Sequence, residues 1–382
     1  MNSCKSISPD LQYLLPASMD ITSSRILIIK PSSLGDIVHT LPVVHALKRC
    51  FSGCSIGWIV QRAFAPLLEH DPAVDTVYPV QIPSTSDPQA GRFVYLHALQ
   101  ATMTTLQELR RQFKQAPYDL VLDLHASFRS GLLGRTNPGG LRMGFKGARE
   151  MNTFFQDQLI AVPEDVEHAL EKNLFFCDQL GCPVSAEDFY ICCSRDDVHE
   201  VQLFLHQQDI ADDVRVIYAN PAARWQTKFW PVELWAELAD RLSIRGTVMV
   251  FAGSGHDRAY IETIIRQMKT RPVVVAGRFS LPQSVALIQR SCLYVGLDSG
   301  PMHMAALCNI PVVALFGPTH PSRVGPYGVE HQIVRAENLD CLECRKRTCD
   351  HLSCMKKISV EMVYDAAISL MDPQTSQSSK AE

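Results

Sequence analysis

Apolar residues along this chain gather in short runs of strand length, separated by stretches with helical spacing. The run RILIIK at 25–30 leads through the turn PSSLGD into the helical pattern IVHTLPVVHALKRCF, which Pro42 should kink or break after its first turn. The alternation continues with strands at 55–60 and 76–80 around a short helix at 63–68, then a helix at 99–113 and the strand YDLVLDL at 118–124. The helix expected at 164–180 is stopped by Gly181-Cys182-Pro183, and the Pro-rich stretch at 79–91 reads as an inserted loop. A second series begins at 214 with RVIYANP, followed by a helix opening at Pro231, a strand at 247–251 and a helix at 258–268. After a strand at 273–276 and a helix at 281–290 come two apolar runs, 293–297 and 311–316. They bracket a helix whose Met302, Ala305 and Ala306 share one face. Repeated strand–helix units predict α/β architecture with parallel sheets.

A chain of 382 residues fits two domains better than one. The expected plan is a loose tail at 1–24, a first domain at 25–190, a second at 196–357, a helix at 358–371 packing back on the body, and a polar tail at 372–382. A composition of 46% hydrophobic and 20% charged residues is globular, and a net charge of −4 gives no pull toward nucleic acid. No apolar run approaches the roughly 20 residues of a membrane span. The first 24 residues lack the basic start and apolar core of a signal peptide, so a cytosolic protein is expected. In that compartment Cys50, Cys177, Cys292 and Cys308 are expected as unpaired buried thiols.

In a parallel sheet the loops after the strands share one edge, where open α/β folds bind ligands. Asp36 falls there, at the turn-to-helix junction, as does Asp298-Ser299-Gly300 before a helix whose first N–H groups suit a phosphate. For Asp36, Asp298 and Ser299 a plain helix cap fits the residue types equally well. Arg224 and Lys228 follow another strand and either meet that phosphate or face water. Asp257, in the loop AGSGHDR, either binds a ribose hydroxyl or caps the next helix. His125, Ser127, Arg129 and Ser130, with Arg142, Lys146 and Arg149 in a following loop, would suit an anionic second substrate, or form a solvated basic surface. The sequence holds neither a Walker loop nor an early dinucleotide fingerprint. Cys341, Cys344, Cys349 and Cys354, with His351 between, are spaced for a structural zinc or iron–sulfur site; disulfides or plain thiols are the alternatives.

With PSSLGDI at 31–37, KFWP at 228–231, DSGPMH at 298–303 and FGPT at 316–319 in this order, the chain resembles glycosyltransferase family 9, the ADP-heptose:lipopolysaccharide heptosyltransferases. That resemblance implies a GT-B fold, two Rossmann-like domains facing across a cleft, with the acceptor on the first and the nucleotide sugar on the second. It implies that Asp36 is the general base, that Lys228, Ser299, Gly300 and His303 meet the donor diphosphate, and that Asp298 lies near the heptose. Arg224 would stand in for hydroxyl residues that some members carry where this chain has Ala222 and Ala223. Phe279 and Asp257 match the adenosine contacts more loosely; Ser33, Arg129 and Arg142 are the acceptor-side candidates. The implied protein is a monomeric, metal-independent inverting enzyme needing no cofactor. Its donor would be ADP-heptose and its acceptor a lipopolysaccharide core precursor at the cytoplasmic face of the inner membrane. The absence of an Asp-x-Asp run agrees with metal independence. A family-9 transferase of another nucleotide-activated sugar, or a non-catalytic sugar-nucleotide-binding module, are the alternatives.

Overall fold

Every residue of Ile26, Leu27, Ile28 and Ile29 is buried, so the first strand carries core on both faces, as a parallel sheet covered by helices requires. The structure is a computed structural model that describes residues 21–83 and 94–372. The first sheet contains β1 (Arg25–Ile29), β2 (Ser55–Gln61), β3 (Thr76–Val80), β4 (Leu120–Asp123), β5 (Leu141–Phe145) and β6 (Gln158–Ile160). Its order is β3-β2-β1-β4-β5-β6, parallel throughout. Its helices are α1 (Leu34–Val38), α2 (Leu41–Cys50), α3 (Val94–Gln115), α4 (Phe128–Gly134) and α5 (Ala169–Gln179).

After α6 (Arg195–Gln207) the pattern repeats with β7 (Arg215–Asn220), β8 (Thr247–Phe251), β9 (Val273–Val274), β10 (Leu293–Leu297), β11 (Val312–Phe316) and β12 (His331–Arg335). This sheet runs β12-β11-β10-β7-β8-β9 and is also parallel. Its helices are α7 (Val232–Ser243), α8 (Arg258–Ile265), α9 (Leu281–Arg290), α10 (Gly300–Leu307), α11 (Pro321–Val324), α12 (Ser353–Lys356) and α13 (Val360–Met371). In α13 the Ser359 hydroxyl caps the helix, and Val360, Val363, Ala367 and Leu370 bury one face in the core that holds Trp230 and Trp235. Two doubly wound sheets of this kind make a GT-B molecule.

Several expectations need correction. Arg142 is not in a loop; it lies on β5, a strand whose half-buried LRMGF lacks a continuous apolar run. The helix at 164–180 begins only at Ala169, where His168 caps it through Nδ1. Helix α6 was hidden behind the polar start RDDVHE, which instead serves a cap: Ser194 and Asp197 exchange hydrogen bonds there. Cys50, expected as an unpaired thiol, is joined to Cys182 in a disulfide that ties the end of α2 to the chain after α5. Of the loop at 79–91, residues 84–91 lie outside the described residues, as do 1–20 and 373–382 of the tails. Among the described residues no helix is long and apolar enough to cross a membrane.

Candidate active site

The loop after β1 and the loop after β10 meet across the interdomain cleft. Gly35 of α1 lies against His303 of α10, where an added Cβ would come within 2.7 Å of the ring. Gly300 lies against Leu34, where a Cβ would come within 2.6 Å. Only glycine at both positions lets the two helix starts abut, and that contact brings the two domains' ligand loops into one cavity of about 500 Å³. Ser33, Asp36, Arg224, Lys228, Asp298, Ser299, Gly300 and His303 all line it.

Asp36 accepts the Ser33 N–H at 2.9 Å and the Ser33 hydroxyl at 2.7 Å through Oδ2. Its Oδ1 faces the Lys30 ammonium at 3.7 Å, and its side chain remains 44% exposed. Burial works to raise this carboxyl, but the Lys30 charge and the Ser33 donors outweigh it and hold the group below the usual carboxylate range. Asp36 also lines a second cavity of about 600 Å³ within the first domain, where Lys30, Arg149 and Lys172 supply positive charge beside His125, Glu150 and Glu164. The carboxylate therefore stands at the boundary of two cavities.

On the far wall Lys228 donates to Asp298 Oδ2 at 2.6 Å and to the Asp298 carbonyl at 3.0 Å, both side chains being nearly buried. The Trp225 ring lies 5.0 Å beneath the ammonium. Ser299 makes no side-chain cap on α10. Its hydroxyl donates to the Leu297 carbonyl and accepts from Asn220, so the backbone of this loop, not the hydroxyl, is what the cavity is offered. His303 is buried, its Nδ1 2.9 Å from Nε2 of His39, and burial pushes its imidazole down to about 4.

Four candidates are not brought to this cavity. Asp257 spends Oδ2 on the Ser254 N–H and hydroxyl, and Phe279 packs edge-on against Phe204 of α6. Arg142 turns toward Asp157 and the Gly139 carbonyl, and Arg129 sits half-buried on α4 outside both cavity walls. Cys341, Cys344, Cys349 and Cys354 line a separate cavity of about 170 Å³ with Thr227 and Pro318. No group of three His, Cys, Asp or Glu among the described residues is arranged to hold a metal ion. The segment instead props the site: the Lys346 carbonyl accepts the Thr227 hydroxyl and the Pro318 carbonyl accepts the Arg345 N–H.

Comparison with known proteins decides the kind of molecule. The model of glycosyltransferase family 9 (heptosyltransferase) matches residues 106–355, well over half of the chain. The chain belongs to glycosyltransferase family 9. Lipopolysaccharide heptosyltransferase 1 of Pseudomonas aeruginosa is 29% identical over 347 residues, covering 86% of this chain and 88% of that relative. Lipopolysaccharide heptosyltransferase 3 of Escherichia coli K12 is 27% identical over 289 residues, covering 75% and 80%. A solved family 9 protein from Veillonella parvula superposes with a TM-score of 0.77 at 24% identity, over 92% of this chain and 98% of its own. The ADP-heptose lipopolysaccharide heptosyltransferase II of Escherichia coli gives 0.72 at 22%, over 92% and 99%. These two structures share the GT-B fold.

Within this family 9 glycosyltransferase, His39, Leu34 and Lys172 are site residues that the sequence did not single out. Lys172, from the first turns of α5, lines both cavities. All three reach the site across the domain boundary or from a helix far along the chain, and no local pattern marks such a contact.

Proposed function

We propose that this enzyme transfers heptose from ADP-heptose to the inner core of lipopolysaccharide, Kdo-lipid A or a core heptose, with inversion and without a metal. The observation that carries this reading is the position of Asp36 on the wall shared by two cavities. One has the Lys228 ammonium and the start of α10; the other has a basic lining suited to an anionic acceptor. As the donor bond breaks, charge grows on the departing diphosphate. Lys228, Arg224 and the N–H groups at the start of α10 offset it. Asp298 holds Lys228 in place and faces the sugar. Asp36 takes the proton from the acceptor hydroxyl, and one carboxylate suffices because a phosphate leaving group needs little protonation. Attack from the side opposite the diphosphate inverts the anomeric centre. The enzyme works as a monomer on the cytoplasmic face of the inner membrane, where a lipid-anchored acceptor is presented.

The test is incubation with ADP-heptose and a panel of core acceptors truncated at successive sugars, read by mass spectrometry and ADP release. Addition of one heptose mass to one member of the panel is expected. Transfer only from a different nucleotide sugar, or binding of ADP without transfer to any acceptor, would overturn the reading.

A further inference from the structure

The loops that rim the first-domain cavity carry a surface that neither the proposed base nor the donor wall uses. Phe128 opens α4, and Met151 and Phe154 belong to the short helical turn Asn152–Phe155 and the residue before it. Phe154 is 82% exposed, Met151 63% and Phe128 41%. Single apolar side chains on a surface mean little, but these three come from two segments packed on each other. The Phe128 ring meets the Phe155 ring edge-on at 5.3 Å, and the Phe128 N–H donates to Glu150 at 3.2 Å. Ala126 and Ser127 just before Phe128, and Arg149 and Glu150 just before Met151, line the cavity whose wall Asp36 shares. The apolar patch therefore sits at the rim of that cavity.

Buried polar groups hold the patch outward. Asn152 is fully buried, and its amide donates to Asp123 Oδ2 and to the Ser127 carbonyl, each at 2.7 Å. Gln156 donates to the same Asp123 oxygen at 3.1 Å. These bonds pin the turn on both sides of Phe154, so Phe155 packs on α4 while Phe154 faces water. Met151 is held at φ +57°, in the left-handed region that side chains such as methionine disfavour. A loop free to relax would tuck these side chains away from water, and this one is fastened so that it does not. The surrounding charge is one-sided. From 126 to 156 the chain has Arg129, Arg135, Arg142, Lys146 and Arg149 against a single acid, Glu150, in a protein of net charge −4. Arg142 pairs with Asp157, but Arg129, Lys146 and Arg149 form no ion pair among the described residues, and Lys146 and Arg149 are exposed.

We propose that Phe128, Met151 and Phe154 dock this protein on an anionic lipid bilayer, the apolar side chains entering its interface while Lys146 and Arg149 meet headgroup phosphates. An apolar patch alone would suit a second copy of the chain equally well; the unpaired cations around it select a negatively charged surface. Docking this way turns the cavity rim to the membrane, so a lipid-anchored acceptor reaches Asp36 without leaving the bilayer. That consequence rests on the proposed function, whereas the docking does not.

Cosedimentation of the full chain with vesicles of phosphatidylcholine and phosphatidylglycerol, mixed about 7:3, reads the docking. Wild type should bind them about tenfold or more tightly than vesicles of phosphatidylcholine alone, and added salt should weaken the binding. A Met151→Ser, Phe154→Ser double variant should lose about tenfold or more in vesicle affinity, the scale of burying one large apolar side chain, with its thermal midpoint and ADP affinity unchanged. Ile244→Ser, which removes a side chain 85% exposed at the end of α7 in the second domain, should bind vesicles as wild type does. Absence of vesicle binding by wild type, full binding by the double variant, or an equal loss in Ile244→Ser would overturn the proposal. So would a double variant whose only change is the loss of a dimer in sedimentation. Vesicle binding that meets these expectations without heptose transfer to any acceptor keeps the docking surface and overturns the proposed function instead.

Discussion

Two helix starts face each other across the cleft, each following a strand near the middle of its sheet and each preceded by a serine, yet they are finished differently. At α1 the third helical residue is Asp36, which folds back on the Ser33 N–H and hydroxyl, so the positive end of the helix is matched by the chain's own carboxylate. At α10 the third residue is Met302, Pro301 has no N–H, and Ser299 turns its hydroxyl inward to Leu297 and Asn220. No side chain caps α10, and Lys228 stands beside it in the same cavity. On the proposed reading, these differences suit the first helix start to holding a base and the second to receiving a ligand's anion.

The largest expected effect breaks the α1 half of this contrast. Asp36→Asn keeps the cap in similar shape but removes the base, and kcat should fall by about 10²-fold or more while ADP affinity measured by calorimetry stays unchanged. Near wild-type turnover would detach the base from this position. Lys228→Ala strikes the α10 half. ADP affinity should fall by about ten- to a hundredfold, the scale of one charged hydrogen bond. The melting temperature should fall too, because Asp298, 8% exposed at its side chain, loses its partner.

Gly300→Ala tests whether the two starts must touch. The new Cβ meets Leu34 at 2.6 Å, and overpacking of this kind should lower kcat/KM by about tenfold, with Leu34→Ala restoring part of it. Failure of the second change to help would show that closure does not pass through this contact. Lys30→Met sharpens the electrostatic side. Lys30 lowers the Asp36 pKa, so its removal should move the acid limb of the kcat/KM profile to higher pH. The smallest effect is on stability. His39, His168 and His303 all have folded pKa values below that of free imidazole, so the unfolded chain binds their protons more readily. Stability should hold above about pH 6.5 and decline as pH falls toward the His303 value of about 4, seen as a lower thermal midpoint at pH 5 than at pH 8.

The half of the site built from strand-end loops is legible in the sequence. β7 and β10 coincide with the strand expected from 214 and the apolar run at 293–297, and in a parallel sheet the residues just beyond them must share an edge. That geometry makes Lys228 a candidate neighbour of Asp298 and Gly300, and the pairing of β7 with β10 in the sheet brings them together. What stays hidden is what depends on packing between distant segments. Leu34 and His39 look like ordinary helix residues until α10 is set against them, and Cys50 and Cys182 are 132 residues apart. Short edge strands such as β6, only three residues long, carry too little pattern to declare themselves. At Asp257 the carboxylate takes the N–H and hydroxyl of the serine three residues earlier, which is the cap reading the sequence offered beside the ribose reading.

The anomeric configuration of the product tests most directly whether one carboxylate on the α1 side drives a single displacement against a leaving group held on the α10 side. Transfer from ADP-heptose to the preferred truncated acceptor, followed by NMR of the new linkage, should show the configuration opposite to that of the donor. A product that retains the donor's configuration would require a second nucleophile on the sugar's other face, and would contradict the placement of Asp36 as the sole base.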